Sequence, residues 1–223
     1  MEYIMNKELL KDMTYGMYVL TTNYNGRDVG CFVNTAIQIT SSSMLIGVSV
    51  NKNNYTNEAI KHSKIFSISV LSEKTNPEVI GKFGFFSSRE VDKFEKFKSI
   101  KVNGLSVIDE NICGYMVCEL VDIVSVDTHD LFIAKVIDSC KLNNLPPMTY
   151  DYYHKVIKGS APKTAPTFIE EAPVSVDNFK RYRCIICGHI YDEAVEKVRF
   201  KDLPNNWTCP ICGVGKEDFE EIK

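Results

Sequence analysis

The segment YRCIICGHIYDEAVEKVRFKDLPNNWTCPICGVG, residues 182–215, carries two C-x-x-C pairs, Cys184/Cys187 and Cys209/Cys212, separated by 21 residues. In a reducing compartment such pairs serve metal binding or redox chemistry rather than structural disulfides. Four thiolates in two turns make a tetrahedral sulfur cage, which suits Zn2+ or iron and does not by itself choose between them. The chain from Lys180 onward is about 44 residues. That is too short to fold reliably on an apolar core alone, so it needs such a staple.

The residues around the cysteines refine this reading. Each pair is followed by a glycine, Gly188 and Gly213. Glycine can adopt positive φ and let backbone N–H groups turn toward the sulfurs, and such bonds tune the potential of an iron–sulfur centre. Ile186 and Ile211 sit inside the two turns, where they would keep water from a metal. Tyr182, Tyr191, Phe200, Trp207 and Phe219 supply a dense aromatic core for so short a segment. On these residues the tail resembles rubredoxin across essentially all of 180–223. The resemblance implies one mononuclear iron per chain, held by Cys184, Cys187, Cys209 and Cys212 and cycling between Fe3+ and Fe2+. The loop between the pairs is shorter than the usual family pattern. The tail also carries eight acidic and eight basic residues, where rubredoxins are typically acidic. His189 stands where the family usually has an aromatic. It reads as a surface substitution, because four thiolates already close a metal's shell.

Ahead of the tail, KGSAPKTAPTFIEEAPVSVDNF contains three prolines and neither helical nor strand period. It reads as an extended linker over 159–179, separating a domain at 1–158 from one at 180–223. Residues 1–158 read as mainly β, with about six strands. GMYVLTT is a strand closed by the turn NYNGRD, and VGCFVNTAIQIT, MLIGVSV and KIFSISVL are further β-type runs. ICGYMVCELVDIVSV and LFIAKVIDSCKL form a long hairpin through DTHD. NYTNEAIKHS and NPEVIGKFG read as helices, the second with Pro at its start and Gly at its end. This pattern predicts a β-barrel with peripheral helices. Cys31, Cys113, Cys118 and Cys140 are scattered in apolar runs and read as small buried hydrophobes.

Composition narrows the function. The formal charge of −3 is spread along the chain, without the clustered basic face that nucleic-acid binding needs. No apolar run approaches a membrane span. The start MEYIMNKELLKDM has charges where a signal peptide needs an apolar core, so a cytoplasmic location is expected. No G-x-G-x-x-G follows a strand, and no Ser-His-Asp or paired-carboxylate constellation has supporting spacing.

An iron site that carries one electron needs a source that accepts pairs and releases single electrons, which is flavin chemistry. Asn34, Thr35, Gln38, Ser49 and Asn51 lie at strand ends, where they could hydrogen-bond the polar edge of a flavin ring. Lys52, Asn54, Tyr55 and Thr56 precede or open a helix, a good phosphate cradle. Ser87, Ser88, Arg89 and Lys93 form a second cluster of hydroxyls and cations. Together these segments resemble the flavin reductase-like, FMN-binding split-barrel family over roughly residues 8–158. SSREVDKF is close to that family's S-G-R-D-V-D-K-F, with Ser88 and Glu90 in place of Gly and Asp. THDLFIAKV resembles its G-D-H-T-L-F strand, with His129 matching the histidine. The resemblance implies a homodimer, FMN held by the hydroxyl and cationic groups, reduction by NAD(P)H, and His129 near the nicotinamide as a catalytic candidate.

A flavin body joined to a rubredoxin tail resembles the high-molecular-weight rubredoxins of anaerobic bacteria. The expected function is transfer of electrons from NAD(P)H through FMN to the iron, and on to a redox partner such as a flavodiiron O2 or NO reductase. Two other readings stand beside it. One is an NAD(P)H-dependent flavin or ferric reductase with an accessory tail. The other is a non-catalytic flavin-binding module with a zinc ribbon.

Overall fold

The computed structural model describes residues 7–157, 159, 179–196 and 198–222. The expected linker, 159–179, lies outside the described residues except at its two ends. Strands β1 (Tyr18–Tyr24) and β2 (Arg27–Val33) form a hairpin. Its tight turn is made by Asn25 and Gly26, with φ of 53° and 79°, the signature of a primed turn that matches strand twist. Next come β3 (Ala36–Gln38), β4 (Leu45–Asn51), helix α1 (Tyr55–Ser63) and β5 (Ile65–Val70). Helix α2 (Pro77–Phe85) precedes a small hairpin, β6 (Ser99–Val102) with β7 (Leu105–Ile108). A long hairpin of β8 (Gly114–Val126) and β9 (His129–Lys141) follows. The body closes with α3 (Tyr150–Tyr152), which runs on into a π-helical turn, Tyr153–Ile157.

Seven strands make one antiparallel sheet in the order β2-β1-β5-β8-β9-β4-β3. Register shifts at Val117/Cys118 and between Leu120 and Asp122 interrupt the β8–β9 ladder. Such bulges bend a sheet and strengthen its twist, and here the sheet curls into a half-barrel. Both helices start where side chains satisfy free backbone donors. Asn54 accepts from the Thr56 N–H and Asn76 from the Glu78 N–H, with Pro77 at the first position of α2.

The sheet core packs Leu20, Val48, Ile60, Phe66, Ile68 and Phe132. A second core joins α2, the β6–β7 hairpin, α3 and the turn after it through Val79, Ile80, Phe83, Val107, Ile108, Tyr150 and Tyr153. Burying each such side chain stabilises the fold by about 1.5–3 kcal/mol. The tail builds its own sheet, β11-β10-β12, from β10 (Arg181–Cys184), β11 (Ile190–Asp192) and β12 (Phe219–Ile222), with a one-turn helix α4 (Glu193–Glu196). A third apolar cluster centres on Cys184, Cys187, Cys209 and Ile211, and Phe85 and Ile157 of the body pack against it.

Four details depart from the sequence reading. VGCFVNTAIQIT is two strands, β2 and β3, broken at Asn34–Thr35. The described body has nine strands instead of about six, mainly because the four-residue strands β6 and β7 escape a pattern search. Cys31 and Cys118 are buried, but Cys113 is half-buried and Cys140 exposed, at the solvated end of the long hairpin. His189 is buried rather than on the surface, because its carbonyl accepts from the Cys184 N–H and draws the residue under the metal turn. Among the described residues no helix is long and apolar enough to cross a membrane.

Candidate metal centre and flavin-binding face

The four sulfurs of Cys184, Cys187, Cys209 and Cys212 all lie within 4.8 Å of one another. Cys184 Sγ and Cys212 Sγ are 3.7 Å apart, and Cys187 Sγ and Cys209 Sγ 3.6 Å. A tetrahedron with metal–sulfur bonds of about 2.3 Å has edges of about 3.8 Å, so the cage fits one metal ion. The two turns repeat one geometry. Gly188 N–H bonds the Cys184 carbonyl at 2.8 Å and Gly213 N–H the Cys209 carbonyl at 2.9 Å, with φ of 73° and 76° at the two glycines. The glycine amides themselves are therefore spent on carbonyls. Those directed at sulfur belong to Cys187, Ile211 and Val214, facing Cys184, Cys209 and Cys212. Such bonds stabilise thiolate over thiol. Hydrogen bonding among the crowded sulfurs pulls Cys184 far below the usual thiol range and pushes Cys187 far above it. Four thiolates so close together require a cation to neutralise them.

An aromatic wall backs the cage. Phe200 stacks on Tyr182 at 4.2 Å, and Tyr191, Trp207 and Phe219 meet Phe200 within 5.7 Å, edge-on or tilted. One residue of the tail was not expected. Glu193 has a side chain only 2% exposed, and it accepts from the N–H groups of Lys180 and Phe200 at 2.9 Å. It thereby joins the start of the tail to the segment carrying Phe200.

In the body, the sheet gathers most of the candidate flavin residues at one end of β4. Ser49 N–H bonds the Thr35 carbonyl at 3.0 Å. Thr35 Oγ1 donates to Asn34 Oδ1. Asn51 stands opposite His129 in the β4–β9 ladder. The Asn51 carbonyl accepts from the Asn54 N–H, leading directly into α1. His129 shares a 2.8 Å hydrogen bond between Nδ1 and Thr128 Oγ1. Partial burial lowers its pKa below the ordinary histidine value, favouring the neutral ring.

The opening of α1 fits an anion. Thr56 is fully buried, and its hydroxyl faces only the weakly accepting Cys31 sulfur in place of a full hydrogen bond, an unfavourable state unless a ligand satisfies it. The nearby Cys31 thiol is raised by burial and so stays protonated. Arg89 stacks over the Tyr55 ring at 4.4 Å and pairs with Glu58 at 2.5 Å. Lys52 Nζ donates to the Asp127 carbonyl at 2.6 Å. Ser87 Oγ accepts from the Arg89 N–H, shaping the loop. Three candidates stand elsewhere. Gln38 is exposed near the far end of β3, where it donates to the Thr40 carbonyl. Ser88 Oγ and Lys93 Nζ both turn inward to the Gly30 carbonyl, at 3.1 and 2.8 Å, and Lys93 also reaches the Phe83 carbonyl at 3.1 Å.

Comparison with known proteins gives this geometry a context. Residues 10–158 match the family described as flavin reductase like domain, and residues 181–219 match rubredoxin. A high molecular weight rubredoxin from Moorella thermoacetica is 40% identical over 98% of this chain and 100% of its own length. A ferric-chelate reductase (NAD(P)H) from Archaeoglobus fulgidus is 36% identical over 74% of this chain and 99% of its own. Among solved structures, an NADH:FAD oxidoreductase from Streptomyces globisporus C-1027 superposes with a TM-score of 0.59 at 18% identity, over 63% of this chain and 84% of that one. At that identity the likeness speaks for the fold.

Proposed function

Because this chain belongs to the flavin reductase-like family and ends in a rubredoxin domain, we propose that it is a cytoplasmic electron-transfer enzyme linking NAD(P)H to a protein acceptor. FMN is the flavin, and one iron per chain fills the cysteine cage. The flavin, when bound, supplies conversion of an electron pair into single electrons, and a tetrathiolate iron carries one electron at a time. The observation that carries this reading is the cage, with its sulfur-directed amides, on the same chain as a flavin reductase-like body.

The residues take distinct parts. The start of α1, with the Thr56 hydroxyl and Arg89, receives the phosphate. Asn34, Thr35, Ser49 and Asn51 face the flavin ring. His129, neutral at pH 7, positions the nicotinamide. The homodimer completes the flavin site, and the acceptor is a redox protein such as a flavodiiron O2 or NO reductase. A second reading draws on the Archaeoglobus relative, which spans little more than the body. In it the body reduces ferric chelates or free flavin without help from the tail.

An anaerobic visible spectrum of the purified protein, before and after two equivalents of NADH per chain, tests the proposal. Bleaching of both flavin and ferric-thiolate bands supports the route. Flavin bleaching with standing iron bands favours the second reading, and zinc in place of iron sinks both the iron assignment and the route. Cys209→Ser is expected to leave flavin reduction intact and to abolish delivery to the acceptor.

A further inference from the structure

Helix α2 carries a glycine, Gly81, in its interior. A Cβ placed there would stand 2.8 Å from Cys212 Cα and 3.0 Å from Cys212 Cβ, and closer still to the Ile211 carbonyl oxygen. Cβ atoms essentially never approach backbone that closely, and neither contact is with a flexible side-chain tip. Gly84, nearly one turn further along, is different: its added Cβ would meet only Phe32, at 3.6 Å, an ordinary contact. The second cysteine turn of the tail therefore rests on α2 at a spot that only glycine leaves open.

The surrounding contacts agree. Phe85 at the end of α2 and Ile157 after α3 pack on the cysteine cluster. Within the second turn, Ile211 is only 1% exposed.

We propose that α2 is the docking platform for the iron domain of its own chain and that Gly81 is the residue permitting closure.

Gly81→Ala and Gly84→Ala provide a matched pair, since both changes favour the helix intrinsically and only the first collides with the tail. The measurement is amide hydrogen exchange of residues 209–214 in the flavin- and iron-loaded full chain. Gly81→Ala is expected to speed exchange there by tenfold or more, with Gly84→Ala at the wild-type rate and with unchanged flavin and iron absorbance in both. Phe85→Ser, which removes a contact and adds no bulk, is expected to loosen the same segment. Wild-type exchange rates in Gly81→Ala or in Phe85→Ser would overturn the docking. Exchange at unchanged iron absorbance reads the docking, and NADH-driven bleaching of the iron bands reads the electron route, so either can fail without the other.

Discussion

Lys93 donates through Nζ to the carbonyl oxygen of Gly30 at 2.8 Å, tying the loop after α2 to the middle of β2. Burial lowers its pKa from 10.5 to about 8, against a raising influence of Cys31. Below about pH 8 the ammonium is charged in both folded and unfolded chains, and the desolvation cost is fully present. Between about 8 and 10.5 the unfolded chain still holds the proton that the folded one has released, so stability rises with pH across that window. The rise amounts to about 3 kcal/mol at most. Lys93→Met should remove this increment. Urea midpoints of both proteins at pH 7.5, 9 and 10 check it, and parallel slopes would refute the assignment.

Thr56 offers a test in which stability and affinity move in opposite directions. Its hydroxyl is buried with only the weak Cys31 sulfur beside it, where a wholly unpartnered hydroxyl costs about 1–3 kcal/mol. Thr56→Val keeps the shape and removes the hydroxyl, so the flavin-free protein should be more stable by about 1 kcal/mol. A hydrogen bond to a charged group contributes about 1.5–3 kcal/mol, so FMN should bind at least tenfold more weakly. Titration calorimetry beside thermal melts reads both. Unchanged FMN affinity would remove Thr56 from the phosphate site.

The contrast between Thr56 and Lys93 shows where sequence reading stops. Both sit in polar clusters that suit a phosphate, and nothing in local pattern says which side chain turns inward. Ser88 and Lys93 turn in because Gly30 and Phe83 offer them carbonyls from distant strand and helix positions. The two helices were legible because Asn54, Asn76 and Pro77 act on neighbouring amides. The cysteine cage was legible because its ligands repeat at fixed spacing. The β6–β7 hairpin carried one usable signal, Asn103–Gly104 between two short apolar runs. Docking of the tail on α2 left only a helical glycine as a trace, since contacts across a long connection have no local period.

Glu193 is the carboxylate that the tail's composition hid among its surface charges. Burial raises its pKa, but the N–H groups of Lys180 and Phe200, with Arg199 3.5 Å away, outweigh that and leave it below the ordinary value. A carboxylate depressed by folding stabilises above its unfolded pKa, and loses that contribution as pH falls through the folded one. Glu193→Gln should therefore cost the tail about 1–3 kcal/mol at pH 7, where one charged acceptor of two buried amides is replaced by a neutral one. The gap between wild type and variant should begin to narrow as pH falls past the unfolded value of about 4.3 and close only below the lowered folded one. Thermal loss of the ferric-thiolate absorbance measures it, and a gap that persists unchanged in acid would show that the charge is not the cause.

The last prediction concerns the apolar face that the described chain leaves open. Ile37 and Ile39 on and beside β3 are 62% and 44% exposed, and Met44, leading into β4, is 52% exposed. Val124 and Val126 on β8 add to them at 45% and 54%. Ile37 pairs with Gly47, and Gly47 with Ile133, so this surface continues across the β3-β4-β9 end of the sheet. Exposed apolar surface of this extent marks a protein contact, and β3 is an edge strand that would otherwise invite unspecific pairing. In the homodimer proposed above, a second copy of the chain is expected to cover this face. The same end of β4 carries Ser49, Asn51 and, across the ladder, His129, so loss of the dimer should also weaken flavin binding. Ile37→Asp places a charge in the contact and should shift the protein to monomer at micromolar concentration, while its secondary structure is retained because the side chain lies outside the core. Sedimentation velocity with absorbance at the flavin band reads mass and flavin content together. A monomeric wild type would refute the homodimer, and an Ile37→Asp dimer with full flavin would place its contact elsewhere.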